Sequence, residues 1–131
     1  MTLLDTHPLL FLGIAPERLS KPAARAIRRA ARAGGLAVAS ITLCEIAMLV
    51  ASGRLRIRGT VESWLQELLE RTGVATREIT PAIAALAVQF PDDFPRDPAD
   101  RLIAATARAE GIPLVTRNEA MRGSGLLETI W

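Results

Sequence analysis

Residues 36–39, Leu-Ala-Val-Ala, are an unbroken apolar run of strand length between two stretches of helical period. A run without polar alternation belongs in a strand covered on both faces. Residues 1–4 (Met-Thr-Leu-Leu) and 113–116 (Pro-Leu-Val-Thr) read the same way. Residues 74–79 predict a weaker strand, third in chain order, and Leu126 to Trp131 a fifth. Strands this short, alternating with helices, define an α/β fold with a mostly parallel sheet. Neighbouring parallel strands need a crossover, and the crossover is usually a helix.

The intervening helices carry start and stop signals. A loop or short helix runs from the first strand through Pro16. Ser20 and Pro22 open a helix that Gly34-Gly35 ends, with Arg25, Arg28, Arg29 and Arg32 at helical spacing on one face. Thr42-Leu-Cys-Glu45 has the S/T-x-x-E pattern of a capping box and predicts the next helix, which Gly53 ends. The basic stretch Arg54-Leu-Arg56-Ile-Arg58 follows. Thr60 begins a helix in which Val61, Trp64, Leu65, Leu68 and Leu69 form an apolar stripe. Thr80-Pro81 opens another, with Ile83, Leu86, Ala87 and Phe90 as its buried face. Asp97-Pro98 opens the last long helix, which ends by Gly111.

Size and composition narrow the class. A chain of 131 residues fits one domain, residues 1–131, and can bury a core without staples. No apolar run approaches the roughly 20 residues of a membrane span, and the early acid near the N-terminus argues against a signal peptide. The single cysteine, Cys44, makes no intrachain disulfide and is read as a buried thiol, so a soluble, cytoplasmic protein is expected. Net charge is only +2 although 16 residues are Lys or Arg, nearly all Arg. Arginine suits phosphate recognition, and GC-rich coding produces the same bias.

Three acids fall at one edge of the expected sheet. Ligands of open parallel sheets bind beyond the carboxyl ends of the strands, where the following helices start. Asp5 ends the first strand, Glu45 lies early in the helix after the second, and Asp100 lies in the first turn of the helix before the fourth. Asp100 shares a face with Ile103, Ala104 and Ala107, which directs it towards the sheet. Carboxylates held together repel unless a cation compensates, and hard oxygen ligands suit Mg²⁺ or Mn²⁺. Such a site can activate water and neutralise charge at a phosphodiester. Each acid also has a plain structural reading: Glu45 as half of a capping box, Asp97 as an N-cap, Asp100 as a favourable charge on the helix dipole, Asp5 as the partner of an arginine. His7, the only histidine, stands two positions after Asp5 and so could lie near the site, but reads first as structural, and no second His or Cys supports zinc. Trp64 and Trp131 read as core or interface residues, and no glycine-rich phosphate loop is present.

The stretches "LLDTHPLLFL", "ASITLCEIAMLVASGRL", "RDPADRLIAATA" and "PLVTRNEAM", in that order, with the final "ETIW", resemble PIN-domain proteins, and most of all the VapC-type toxins of bacterial type II toxin–antitoxin pairs. The resemblance implies a three-layer α/β/α sandwich with a parallel sheet of about five strands ordered 3-2-1-4-5. It implies Mg²⁺- or Mn²⁺-dependent RNA hydrolysis with Asp5, Glu45 and Asp100 as the metal-binding acids, Asp97 as an outer or capping residue, and Asn118 at a fourth polar position. Thr6, Thr116 and Asn118 would then position water or substrate, and Arg54, Arg56, Arg58 or Arg117 would steer the RNA backbone. The implied partners are an RNA substrate, a small cognate antitoxin and a second copy, as homodimer or toxin–antitoxin hetero-oligomer. The chain departs from the pattern at Asn118, where an acid is common, at Cys44, where Trp is frequent, and at Pro95, where His often stands. Two rival functions stay open: an inactive PIN-like module that binds RNA or an antitoxin, and a metal-dependent DNA nuclease or phosphatase.

Overall fold

The computed structural model describes residues 1–131. Five parallel strands, β1 (Thr2–Leu4), β2 (Leu36–Ala39), β3 (Ala75–Arg77), β4 (Leu114–Val115) and β5 (Thr129–Ile130), form one sheet in the order β3-β2-β1-β4-β5. This is the expected topology, with shorter strands at the third, fourth and fifth positions. Leu3 pairs with Ala37 on one side and Leu114 on the other, so β1 is central.

Alternation along β1 divides the core. Leu4, with Leu36, Val38 and Val115, faces a layer that includes α1 (Thr6–Ile14), α2 (Lys21–Arg32) and α4 (Val61–Thr72). Leu3, with Ala37, Ala39 and Leu114, faces α5 (Pro81–Ala87) and α6 (Pro98–Glu110). Because β2 and β4 are buried on both faces, their apolar runs are continuous, which is what made them legible. The segment after β1 is a full helix, α1, followed by a 3₁₀ turn at Pro16–Arg18. The remaining helices are α3 (Ile41–Ala51) and a short α7 (Glu119–Arg122), which the sequence pattern did not predict.

Two glycines matter for packing. A Cβ on Gly13 would clash with Leu68 Cδ1, so the missing side chain lets α4 press onto α1. Gly34 turns the chain at φ 86°, and a Cβ there would meet the Met1 amide nitrogen at 2.6 Å. Leu68 is fully buried at the α1–α4 contact, whereas Trp64, Leu65 and Leu69 are only partly covered. Leu68→Ala is expected to cost about 3 kcal/mol by urea unfolding, through lost transfer energy plus an unfilled cavity.

Candidate active site

Parallel pairing puts the carboxyl ends of β1 and β4 side by side. After β1 the chain turns towards β2 on one flank, and after β4 towards β5 on the other, so this is a topological switch point. Asp5 stands there. Its amide donates to Val115 O (3.0 Å), its Oδ1 accepts from the Thr6 amide (2.8 Å), and its Oδ2 accepts from Thr116 Oγ1 (2.7 Å). Asp5 is therefore the N-cap of α1 as well as an acid at the sheet edge, a structural role the sequence reading did not assign it.

Glu45 reaches the same place by a different route from the one predicted. Helix α3 begins at Ile41 with Ser40 as a cap that makes no side-chain bond, so Thr42 and Glu45 do not form a capping box. Thr42 is fully buried one turn below Glu45, and its Oγ1 lies 3.1 Å from Thr6 Oγ1. Thr6 Oγ1 donates to Glu45 Oε1 at 2.5 Å. A threonine hydroxyl has one proton, so Thr42 donates to Thr6 and Thr6 to Glu45. That relay fixes the Glu45 carboxylate over the cleft.

Asp97 and Pro98 start α6 as the sequence indicates, with Asp97 Oδ1 accepting from the Ala99 amide (2.9 Å). Asp100 follows in the first turn, and Ile103, Ala104 and Ala107 below it are fully buried against the sheet. Because α3 packs against α6, one carboxylate oxygen from each of Glu45, Asp97 and Asp100 comes within 4.8 Å of the others. Asp97 thus joins the acidic group directly, in addition to capping.

These acids line a cleft of about 500 Å³ with no hydrophobic wall. Asp5, Thr6, Asn118 and Arg117 also line it, as do His7, which its closeness to Asp5 in the chain allows, and Glu119, which the sequence reading did not place there. Thr116 is fully buried behind Asp5. Asn118 caps α7, its Oδ1 accepting from the Met121 amide at 3.1 Å. Glu119, one residue on, brings a carboxylate to the rim near Asn118, and the acid in "RNEAM" was the available signal. Arg54 lines an adjoining depression with Glu45 and Asp97. Arg56 and Arg58 are exposed in the turn before α4 and line neither. Cys44 is exposed, not buried: in α3 it lies between buried Thr42 and Ile46, on the face turned to solvent.

The electrostatics show a site short of positive charge. Burial, and then the charges of Asp5, Asp97 and Glu45, push the Asp100 carboxyl up to about 7. Glu45 is raised too, first by burial and then by Asp5 and Asp97, against the opposing hydrogen bond from Thr6. His7 is held below its ordinary value by burial and by the nearby Arg117 and Arg18 charges, against the pull of Asp5. Half-buried carboxylates that destabilise one another's ionised forms, with three oxygens converging, fit a divalent cation bound by oxygen ligands.

A parallel sheet ordered 3-2-1-4-5 with clustered acids at its switch point defines an α/β protein with an acidic cleft at its sheet edge. The PIN domain family model matches residues 2–123, and the chain belongs to that family. It is 46% identical over 120 residues to Ribonuclease VapC22 of Mycobacterium tuberculosis, covering 92% of this chain and 88% of that one. The solved structure of VapBC2 from Rickettsia felis, bound to a DNA fragment from their promoter, superposes with a TM-score of 0.69 at 18% identity, covering 98% and 96% of the two chains. A toxin–antitoxin complex from Klebsiella pneumoniae matches with a TM-score of 0.64 at 21% identity, covering 97% and 95%. No helix is long and apolar enough to cross a membrane.

Proposed function

We propose that this cleft is the active site of a cytoplasmic, metal-dependent endoribonuclease, the toxin of a VapBC-type pair. The observation that carries the reading is the convergence of Glu45, Asp97 and Asp100, beside Asp5, with Asp100 driven up to about 7 by burial and its acidic neighbours. The 46% identity to a ribonuclease supports the reaction class. Glu45, Asp97 and Asp100 would hold Mg²⁺ or Mn²⁺, with Asp5 beside them. Such an ion supplies Lewis acidity towards phosphate and lowers the pKa of water.

The chain's own groups account for the rest. Thr6 and Thr116 hold Asp5 by both oxygens, and Thr6 also holds Glu45, so the acids are fixed before substrate arrives. Asn118 contributes an uncharged amide to the cleft wall, and Arg117 a cation for the RNA backbone. The partner is a small antitoxin that covers the cleft, in keeping with the toxin–antitoxin assemblies among the solved structures. The complex is a toxin–antitoxin hetero-oligomer or is built on a homodimer.

The test is cleavage of purified total RNA by the full chain freed of antitoxin. Cleavage is expected with Mg²⁺, lost in EDTA, and restored by excess Mg²⁺ or Mn²⁺. Undiminished cleavage in EDTA overturns the metal dependence. Turnover of DNA or of small phosphate esters, with RNA left intact, replaces this reading with a DNA nuclease or phosphatase. Stoichiometric RNA binding without turnover replaces it with a binding module.

A further inference from the structure

Two guanidinium groups close on one buried ring at the rim of the acidic cleft. Phe11, in α1, is only 4% exposed. The Arg18 guanidinium carbon lies 4.5 Å from its ring centroid and that of Arg117 lies 5.1 Å away. Arg18 comes from the 3₁₀ turn after α1 and Arg117 from the segment after β4, so the fold brings together positions about a hundred residues apart. Trp131 and His7 flank the same ring, with centroids 6.5 and 6.1 Å from it.

Both arginines are exposed, and neither has a carboxylate partner, since the one ion pair of the chain joins Arg77 and Glu110. Neither side chain donates a hydrogen bond to the protein; among arginine side chains, only Arg71, Arg77 and Arg101 do. A guanidinium carries five N–H donors in a planar fork suited to phosphate oxygens. Two like charges are therefore both held within 5.1 Å of the centre of one ring with their donors free, and contact with Phe11 limits their rotation. Arg117 and His7 also line the acidic cleft, so the platform is continuous with it.

We infer that Arg18 and Arg117, seated on Phe11, form a subsite for a non-scissile phosphate of a single-stranded RNA whose cleaved bond lies over the acids. This rests on the ribonuclease reading and adds the direction of the strand: from the acidic cleft, past His7, towards the turn at Pro16–Arg18. The subsite supplies the attraction that the acids withhold from a polyanion. Arg18 and Arg117 are positioning residues, and Phe11 acts through them.

The test measures binding of a short fluorescein-labelled oligouridylate in EDTA, which blocks turnover, across a salt series. Arg18→Met with Arg117→Met keeps a long unbranched side chain at each position and removes both charges. This double variant is expected to bind at least tenfold more weakly. Its log Kd against log salt slope is expected to fall by about 0.7, the loss of one single-strand phosphate contact. Arg18→Lys with Arg117→Lys is expected to recover much of the slope, and thermal melting checks that both variants are folded. A merely structural role for the pair would lower the melting temperature and leave the slope alone. Wild-type affinity and slope in a folded Met variant overturn the inference, while Mg²⁺-dependent cleavage by the wild type leaves the ribonuclease reading standing. A wild type that neither binds nor cleaves RNA overturns both. If the Met variant keeps RNA but no longer binds the cognate antitoxin, the platform is a protein-docking surface and the RNA inference is wrong.

Discussion

Asp100→Asn is expected to abolish function and stabilise the metal-free fold at the same time. RNA cleavage in Mg²⁺ should fall at least about a hundredfold, since even outer-shell changes at metal sites cost about 10–100-fold. The same substitution should raise the melting temperature in EDTA at pH 8. Burial and the Asp5, Asp97 and Glu45 charges lift Asp100 from 3.8 to about 7, so its ionised form is disfavoured in the folded chain. With a raised folded-state pKa, the stability this group contributes is fully present below about pH 4. It is lost as pH rises through about 7, because the unfolded chain ionises first. Asparagine carries no such loss. Three units would be worth about 4 kcal/mol for a fully buried group, and partial exposure reduces the gain to about 1–2 kcal/mol, or roughly 5 °C. The advantage should shrink steadily towards pH 4. Saturating Mg²⁺ should reverse the order at pH 8, because the ion stabilises only the form that binds it well. A variant that melts below wild type in EDTA at pH 8 overturns the account of the site as electrostatically unsatisfied.

The acids of that site were legible to different degrees, for physical reasons. Asp5 and Asp100 could be placed from chain order, because a buried parallel strand and an N-capped helix each fix where their ends lie. Asp97 looked like a cap and is one, yet a cap side chain at a helix start sits at the same sheet edge as the other acids, and it joins Glu45 and Asp100. The Thr42–Glu45 pattern was ambiguous at the level of local sequence. A capping box and a tertiary bond use the same residue types, and burial decided between them. Thr42 is fully covered and takes Thr6 as partner, which leaves Glu45 facing the cleft. Cys44 illustrates the same limit: apolar chemistry favours the interior, but the face set by Thr42 and Ile46 turns it outward. The run Arg54-Leu-Arg56-Ile-Arg58 drew attention because its charges are adjacent in sequence. The pairing of Arg18 with Arg117 is visible only once β1 and β4 lie side by side.

Arg101, next to Asp100 in α6, has no signal in periodicity at all and is expected to give the largest stability loss of any polar residue in the chain. Its Nε donates to Pro95 O (2.8 Å), its Nη1 to Phe90 O (2.9 Å) and its Nη2 to Pro91 O (3.0 Å), with longer contacts to Ala87 O and Phe94 O (both 3.4 Å). One planar side chain thereby closes the whole connection between α5 and α6. Phe90 and Phe94 stack within that connection, centroids 4.4 Å apart, and bury both rings in the core. Charge-assisted hydrogen bonds contribute about 1.5–3 kcal/mol each, and their loss also leaves carbonyls without a donor. Arg101→Ala is therefore expected to cost about 3–4 kcal/mol by urea unfolding, allowing for water that reaches the opened loop. Arg101→Lys should recover less than half of that, because one ammonium cannot serve carbonyls arrayed around a guanidinium plane. The connection ends at Asp97, so loosening it moves a carboxylate of the candidate metal group as well as the α6 start. Mg²⁺ affinity, read by titration at a temperature where both proteins are folded, should drop about tenfold in Arg101→Ala although no acid has been changed. Unfolding free energy equal to wild type would show that the loop holds its shape without the guanidinium. A destabilised variant with unchanged Mg²⁺ affinity would separate the loop from the site and place Asp97 outside the metal-binding group.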